Sequence, residues 1–256
     1  MMSRSAKKLA YGILWNILLA AVILAVYLVA VRPTPSCTDG VRNQGEEGTD
    51  CGGPCGTCTA SNLVPIRAIR DAELFTTSAG KVTLFATVLN PNTGYGAAEF
   101  PYEFTVFDAK GNVLERLPGT DTLFASETRH LVSGAVETPA AKIAGVTLTL
   151  GTPQWKPRNE LLRPDISVQS GTRTSVEESA VFVRGTVKNQ STTAAGSVRI
   201  VALLLDRSGS ELFVSQTVLS RLAGGAETAF VVQFPADASI AARVDTDATR
   251  LTVMSR

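Results

Sequence analysis

Four cysteines and one histidine are the residues of this 256-residue chain best suited to covalent or metal chemistry. Cys37, Cys51, Cys55 and Cys58 fall within 22 residues, with the spacing C-x13-C-x3-C-x2-C. Such a group can close two disulfides. It can also hold one zinc ion through four thiolates, because C-x2-C is a common zinc half-site. The residues between the cysteines include Asp39-Gly40, Asn43-Gln44-Gly45-Glu46, Asp50 and Gly52-Gly53-Pro54. They are too polar and glycine-rich to bury a core, so the segment needs covalent or metal staples. Four cysteines allow three pairings, and spacing does not choose among them. Asp39, Glu46, Glu47 and Asp50 could offer oxygen ligands to calcium. The plainer expectation is that Asp39 and Asn43 cap turns through their short side chains.

His130 stands alone in Glu127-Thr128-Arg129-His130-Leu131-Val132. A hydrolase triad needs a histidine between a nucleophile and an acid, and no serine here sits in a nucleophile-elbow context. Metal catalysis would need more histidines at close spacing. There is no phosphate-binding loop and no dinucleotide fingerprint. The expectation is a surface or edge-strand histidine in a chain that is not an enzyme and carries no cofactor. With 24 Lys+Arg against 23 Asp+Glu, the net charge is +1. No basic stretch is interleaved with aromatics, so nucleic acid is not an expected partner.

The elements that would position these groups begin with an apolar run, Leu9 to Val31, of 23 residues without a charge. At about 1.5 Å per residue such a helix reaches roughly 35 Å, enough for a hydrocarbon core of roughly 30 Å. Arg4, Lys7 and Lys8 precede it, which predicts a single-pass anchor with residues 1–8 in the cytoplasm and the rest outside. Tyr11, Trp15 and Tyr27 sit near the expected interfaces. Arg32-Pro33 ends the run. The rival reading is a cleaved secretory signal, but the run is longer than the usual apolar region and no clean Ala-x-Ala site precedes Arg32. In an oxidising compartment outside the membrane, disulfides are expected ahead of zinc.

After residue 61 short Val-, Leu-, Phe- and Thr-rich stretches alternate with Gly, Asn, Asp and Pro clusters, which predicts successive half-buried strands. Lys81 to Val88 and Glu103 to Phe107 are two of them, with Asp108-Ala109-Lys110-Gly111 as a turn. The pattern repeats at an offset of about 100 residues. Thr87-Val88-Leu89-Asn90-Pro91 matches Thr186-Val187-Lys188-Asn189-Gln190, Val106-Phe107-Asp108-x-x-Gly111 matches Leu204-Leu205-Asp206-x-x-Gly209, and Ser126-Glu127-Thr128 matches Ala226-Glu227-Thr228. The expected architecture is mainly β: two tandem immunoglobulin-like sandwiches, 62–157 and 165–256, joined by a linker over 158–164 and preceded by the Cys module, 32–61. Trp155 could plug an interface between the domains or cover the end of the first core. Phe100 and Tyr102, beside the Asn90 to Glu99 loop, could be exposed partner contacts or the first core residues of the next strand.

Two resemblances follow from these residues. The run from Cys37 to Cys58 resembles a short Cys-rich repeat of secreted and surface-attached bacterial proteins, which implies a disulfide-stapled surface module. Phe104-Thr105-Val106-Phe107-Asp108, with the Val-x-Asn-Pro segment before it and the turn-Glu-Thr segment after it, resembles the FxLYD-type β-sandwich domains of bacterial envelope proteins. The second copy, Ala202-Leu203-Leu204-Leu205-Asp206, lacks the first Phe. That resemblance implies an Ig-like fold in a membrane-anchored protein and carries no catalytic residues. The expected function is a binding or scaffolding protein of the cell envelope, held in the lipid bilayer by its helix and meeting another envelope protein. The alternative is a subunit of a larger secretion, pilus or assembly complex, packed laterally through Gly12, Ala20, Ala21 and Ala25.

Overall fold

The computed structural model describes residues 4–27, 36–58 and 62–255. The chain divides into two compact units, Met1–Asn62 and Leu63–Arg256. In the first unit, α1 spans Arg4–Val26. Its one polar side chain within the apolar run, Asn16, donates Nδ2 to the Gly12 carbonyl one turn back at 2.8 Å, so the amide is satisfied inside the helix. Among the described residues no helix is long and apolar enough to cross a membrane. The last residues of the apolar run, 28–31, and the Arg32-Pro33 stop lie outside the described residues.

The second unit is built from antiparallel strands in two modules. The first holds β1 (Arg67–Thr76), β2 (Val82–Leu89), β3 (Tyr95–Phe107), β4 (Val113–Leu123), β5 (Thr128–Ser133), β6 (Gly145–Leu150) and β7 (Gln154–Pro157). They form one sheet ordered β1-β2-β5 and another ordered β4-β3-β6, with β7 pairing the first part of β3. The second module holds β8 (Ile166–Val168), β9 (Arg173–Glu177), β10 (Ala180–Asn189), β11 (Val198–Leu205), β12 (Glu211–Leu219), β13 (Glu227–Gln233), the short helix α2 (Ala238–Arg243) and β14 (Arg250–Ser255). Its sheets are β13-β10-β8, with β9 also on β10, and β12-β11-β14. Strands β2 to β6 of the first module therefore recur, with the same pairings, as β10 to β14 of the second. Each module is a β-sandwich-like pair of sheets.

The repeated residues do the same work in both copies. Asn90 and Asn189 are fully buried at the ends of β2 and β10. Asn90 donates Nδ2 to the Tyr95 and Phe124 carbonyls, and Asn189 donates to those of Thr193 and Leu222. Each accepts, on Oδ1, the backbone N–H two residues on. Asp108 and Asp206 each hold the N–H groups two and four residues ahead, and Gly111 and Gly209 supply the positive φ (83° and 81°) that closes each turn.

The expectation of half-buried strands fails at the two central ones. On β2, Val82, Leu84, Ala86 and Val88 fill the first core, while Thr83, Phe85 and Thr87 are buried on the opposite face. On β11, Val198, Ile200, Ala202 and Leu204 alternate with Val201, Leu203 and Leu205, and all are buried. Both faces are covered because the two modules pack sheet against sheet. Phe75, Phe85 and Val132 of the first module belong to the same apolar cluster as the second module's core.

Candidate functional site

The seam between the modules gathers most of the unusual chemistry of the second unit. Its apolar part centres on Phe75, whose ring lies 6.0 Å from Phe213 of β12 and 6.3 Å from Phe85. Beside it lies a cluster of buried charges. Asp121, Glu127 and Arg129 are 0%, 2% and 1% exposed. Arg129 faces Asp121 at 3.1 Å and Glu127 at 3.3 Å, and donates to the Ser255 carbonyl of β14 at 2.8 Å. Arg199 of β11 donates to the second oxygen of Asp121 at 2.6 Å. Phe124 N–H donates to Glu127, and Thr122 N–H to Asp121. The two carboxylates and two guanidiniums compensate one another, which charge burial requires. Among the described residues, Arg129 Nε has no hydrogen-bond partner.

His130 points from β5 into the same seam, on the face opposite Arg129. Its Nδ1 lies 3.0 Å from Thr87 Oγ1, its ring is 5.2 Å from that of Phe85, and its backbone N–H approaches Met254 Sδ of β14. Burial holds its pKa below the usual imidazole range, and the nearby Arg70 guanidinium adds to this. A cavity of about 170 Å³ opens beside it, bordered by Arg70, Thr87, Glu211 and Arg250. Arg70 already binds Glu211 through two hydrogen bonds, 2.8 and 2.9 Å, and also pairs with Glu73. The hydroxyl-bearing residues lining this space are Thr87 and Thr252, of which Thr87 is the one hydrogen-bonded to the imidazole.

The three aromatic contact candidates are placed differently from one another. Phe100 is fully buried in the first core and offers no surface, which corrects its reading as an exposed contact. A register shift on β3 between Ala97 and Phe100 turns this residue inward. Tyr102 is half-buried, and its ring stands over Gly119 of β4, where a Cβ would lie 2.4 Å from it. Trp155 lies on β7 and packs against the first core rather than the second.

In the Cys module the pairing is Cys37–Cys55 and Cys51–Cys58. The acidic groups serve the backbone. Asp39 accepts from Val41 N–H, Ser36 N–H and Asn43 Nδ2, and these bonds hold its carboxyl below the usual range. Asp50 accepts from Gly40 N–H, and Glu46 Oε2 from the N–H groups of Asn43 and Asp50. Among the described residues, the side chains whose ligand atoms gather within 4.8 Å of one another are Cys37, Glu46 and Cys55. Both sulfur pairs are oxidised, so in this structure no thiolate is free to bind zinc.

Sequence reasoning passed over Asp121, Arg129 and Arg199, and read Glu127 only as part of a repeated turn. The available signal was parity: Arg129 shares its strand face with Leu131, a core position, so a charge there had to find buried partners.

No known protein family matches the chain, and no curated protein matches it. Among the solved structures that align, three illustrate the low similarity. The exo-chitosanase CsxA of Amycolatopsis orientalis, as an E541A variant with PNP-β-D-glucosamine, is 9% identical, with a TM-score of 0.28 over 72% of this chain and 25% of that one. Red sea bream transglutaminase is 12% identical, with a TM-score of 0.22 over 75% and 31%. The N-terminal CBM22-1–CBM22-2 tandem of Paenibacillus barcinonensis Xyn10C is 10% identical, with a TM-score of 0.17 over 75% and 86%. The chain thus spans about a quarter to a third of the length of the first two.

Proposed function

We propose that the chain is a non-catalytic scaffold of the cell envelope, anchored in the membrane by the run from Leu9 to Val31. In this reading the N-terminus is cytoplasmic, and the Cys module and β-modules lie outside. The observation that carries it is the seam, where a shared apolar cluster and a buried charge cluster hold two repeated modules as one body. Such a body presents its edges and loops at fixed geometry, which suits holding a partner rather than turning over a substrate. Two further features support the reading. Oxidised cysteines suit an extracytoplasmic compartment. Along α1, Leu14, Trp15, Ile17, Leu18, Ile23 and Leu24 are exposed, which is stable against lipid but not against water. Each module is read as an Ig-like sandwich of the FxLYD type, in keeping with the repeated Asn and Asp-x-x-Gly elements.

A second reading, a subunit of a larger membrane complex, draws on the shallow groove along α1 formed by Gly12, Asn16 and Ala20. Among the described residues, a Cβ built on Gly12 meets nothing within 4 Å, so another helix could approach closely there.

Membrane fractionation tests the anchor. The full chain is expected to stay in the pellet after an alkaline carbonate wash and to be cut by protease added to intact spheroplasts. Release by the wash, or protection of residues 36–255 from that protease, overturns the reading.

A further inference from the structure

Glu46 is 4% exposed, and its two oxygens are treated differently. Oε2 accepts two backbone N–H groups. Oε1 lies 3.2 Å from Cys55 Sγ. That sulfur is bonded to Cys37, so it carries no proton to give. A buried carboxylate oxygen therefore faces an atom that would satisfy it only as a thiol. Leaving a buried acceptor without a donor is costly, and reduction of this one bridge would supply the donor.

Access favours the same bridge. Cys37 is exposed, whereas Cys51, Cys55 and Cys58 are all buried. The Cys51–Cys58 bridge is shielded by the backbone at Gly48, where a Cβ would fall 2.8 Å from Cys51 Sγ and 3.2 Å from Cys58 Sγ. A thiolate needs a line of approach to a sulfur, and of the four cysteines Cys37 is the exposed one.

We propose that Cys37–Cys55 is a redox-responsive clasp that a dithiol reductant opens ahead of Cys51–Cys58, with the Glu46 carboxylate as the built-in acceptor for the released Cys55 thiol. The reductant's thiolate attacks Cys37 Sγ, the S–S bond breaks, and Cys55 leaves as a thiolate. Cys55 takes a proton from solvent and donates the S–H to Glu46 Oε1. The reductant's second thiol then resolves the mixed disulfide, freeing the Cys37 thiol and leaving the reductant as its disulfide. Opening the clasp releases the segment between Cys37 and Asp50, while Cys51–Cys58 keeps its own short loop closed. The inference stands on these side chains and not on the anchoring proposed above.

The test equilibrates the full-length protein with graded ratios of reduced to oxidised dithiothreitol. Free thiols are trapped by alkylation and located by fragment-ion mapping. Cys37 and Cys55 are expected to become labelled at a ratio about ten-fold less reducing than Cys51 and Cys58. In Glu46→Gln the amide offers a donor toward Sγ instead of an acceptor, so the Cys37–Cys55 midpoint moves about ten-fold toward stronger reduction while the other stays in place. Coincident midpoints in the natural protein, or Cys51–Cys58 opening first, overturn the clasp. An unmoved midpoint in Glu46→Gln, or an equal shift of both bridges, overturns the role of Glu46.

Discussion

Asp121 on β4 accepts a hydrogen bond from Arg199 on β11 at 2.6 Å, across the seam between the modules. Its other oxygen faces Arg129, which is bonded in turn to the last residue of β14, Ser255. One buried carboxylate thus ties together strands from both modules. A cluster of this kind adds little net stability over an apolar seam, because desolvating four ions offsets most of their attraction. Its effect is on register: any slip of one sheet over the other would strand an unpaired charge in the interior.

Arg129→Met should therefore be among the most damaging single changes. It leaves Asp121 and Glu127 buried together with one of their cations gone, at a cost of about 3–5 kcal/mol. Denaturant unfolding of the full chain checks this. A loss below about 1 kcal/mol would show that water already reaches the cluster.

Acid should loosen the seam through His130. Its pKa is lowered in the folded state, first by burial and then by Arg70, while Glu211 opposes the shift. The unfolded chain consequently binds the proton more tightly. Stability from this group is complete above the ordinary imidazole value near 6.5 and declines as pH falls below it, by at most about 1.4 kcal/mol per pH unit. His130→Gln should flatten that part of the stability–pH curve. An unchanged slope between about pH 6.5 and 5 would remove His130 as its cause.

Asn90→Ala should cost about 2–3 kcal/mol, because it strips donors from two buried carbonyls, those of Tyr95 and Phe124. Asn189→Ala should behave alike, since it bonds the matching carbonyls of the second module. Thermal melts of the two variants would show comparable losses. A large loss at one site and none at the other would mean the copies do not rely on the same loop anchor.

Gly224→Ala should be destabilising by about 1–3 kcal/mol or more. A Cβ there would lie 2.1 Å from the Thr192 carbonyl oxygen, and backbone cannot swing aside as a side chain can. Gly209→Ala meets no atom within 4 Å and suffers only the strain of its positive φ, so it is the milder change. Unfolding midpoints measured side by side would rank the two, and the reverse order would refute the steric account.

Sequence alone determined whatever is local. Asn90, Asn189, Asp108 and Asp206 were legible as loop anchors because each makes bonds to backbone two to five residues ahead, where chain geometry leaves few choices, while the further reach of Asn90 to Phe124 and Asn189 to Leu222 was not legible. The 100-residue repeat exposed the mainly β character for the same reason. Tertiary structure decided what depends on distant partners. The cysteine pairing, the inward turn of Phe100 at a register shift, and the burial of β2 and β11 on both faces all lay beyond local pattern. Arg129 is 126 residues from the carbonyl it binds, and Arg199 is 78 residues from Asp121. Side-chain alternation says which residues share a strand face. It does not say whether that face meets water, its own module's core, or a second copy of the same fold.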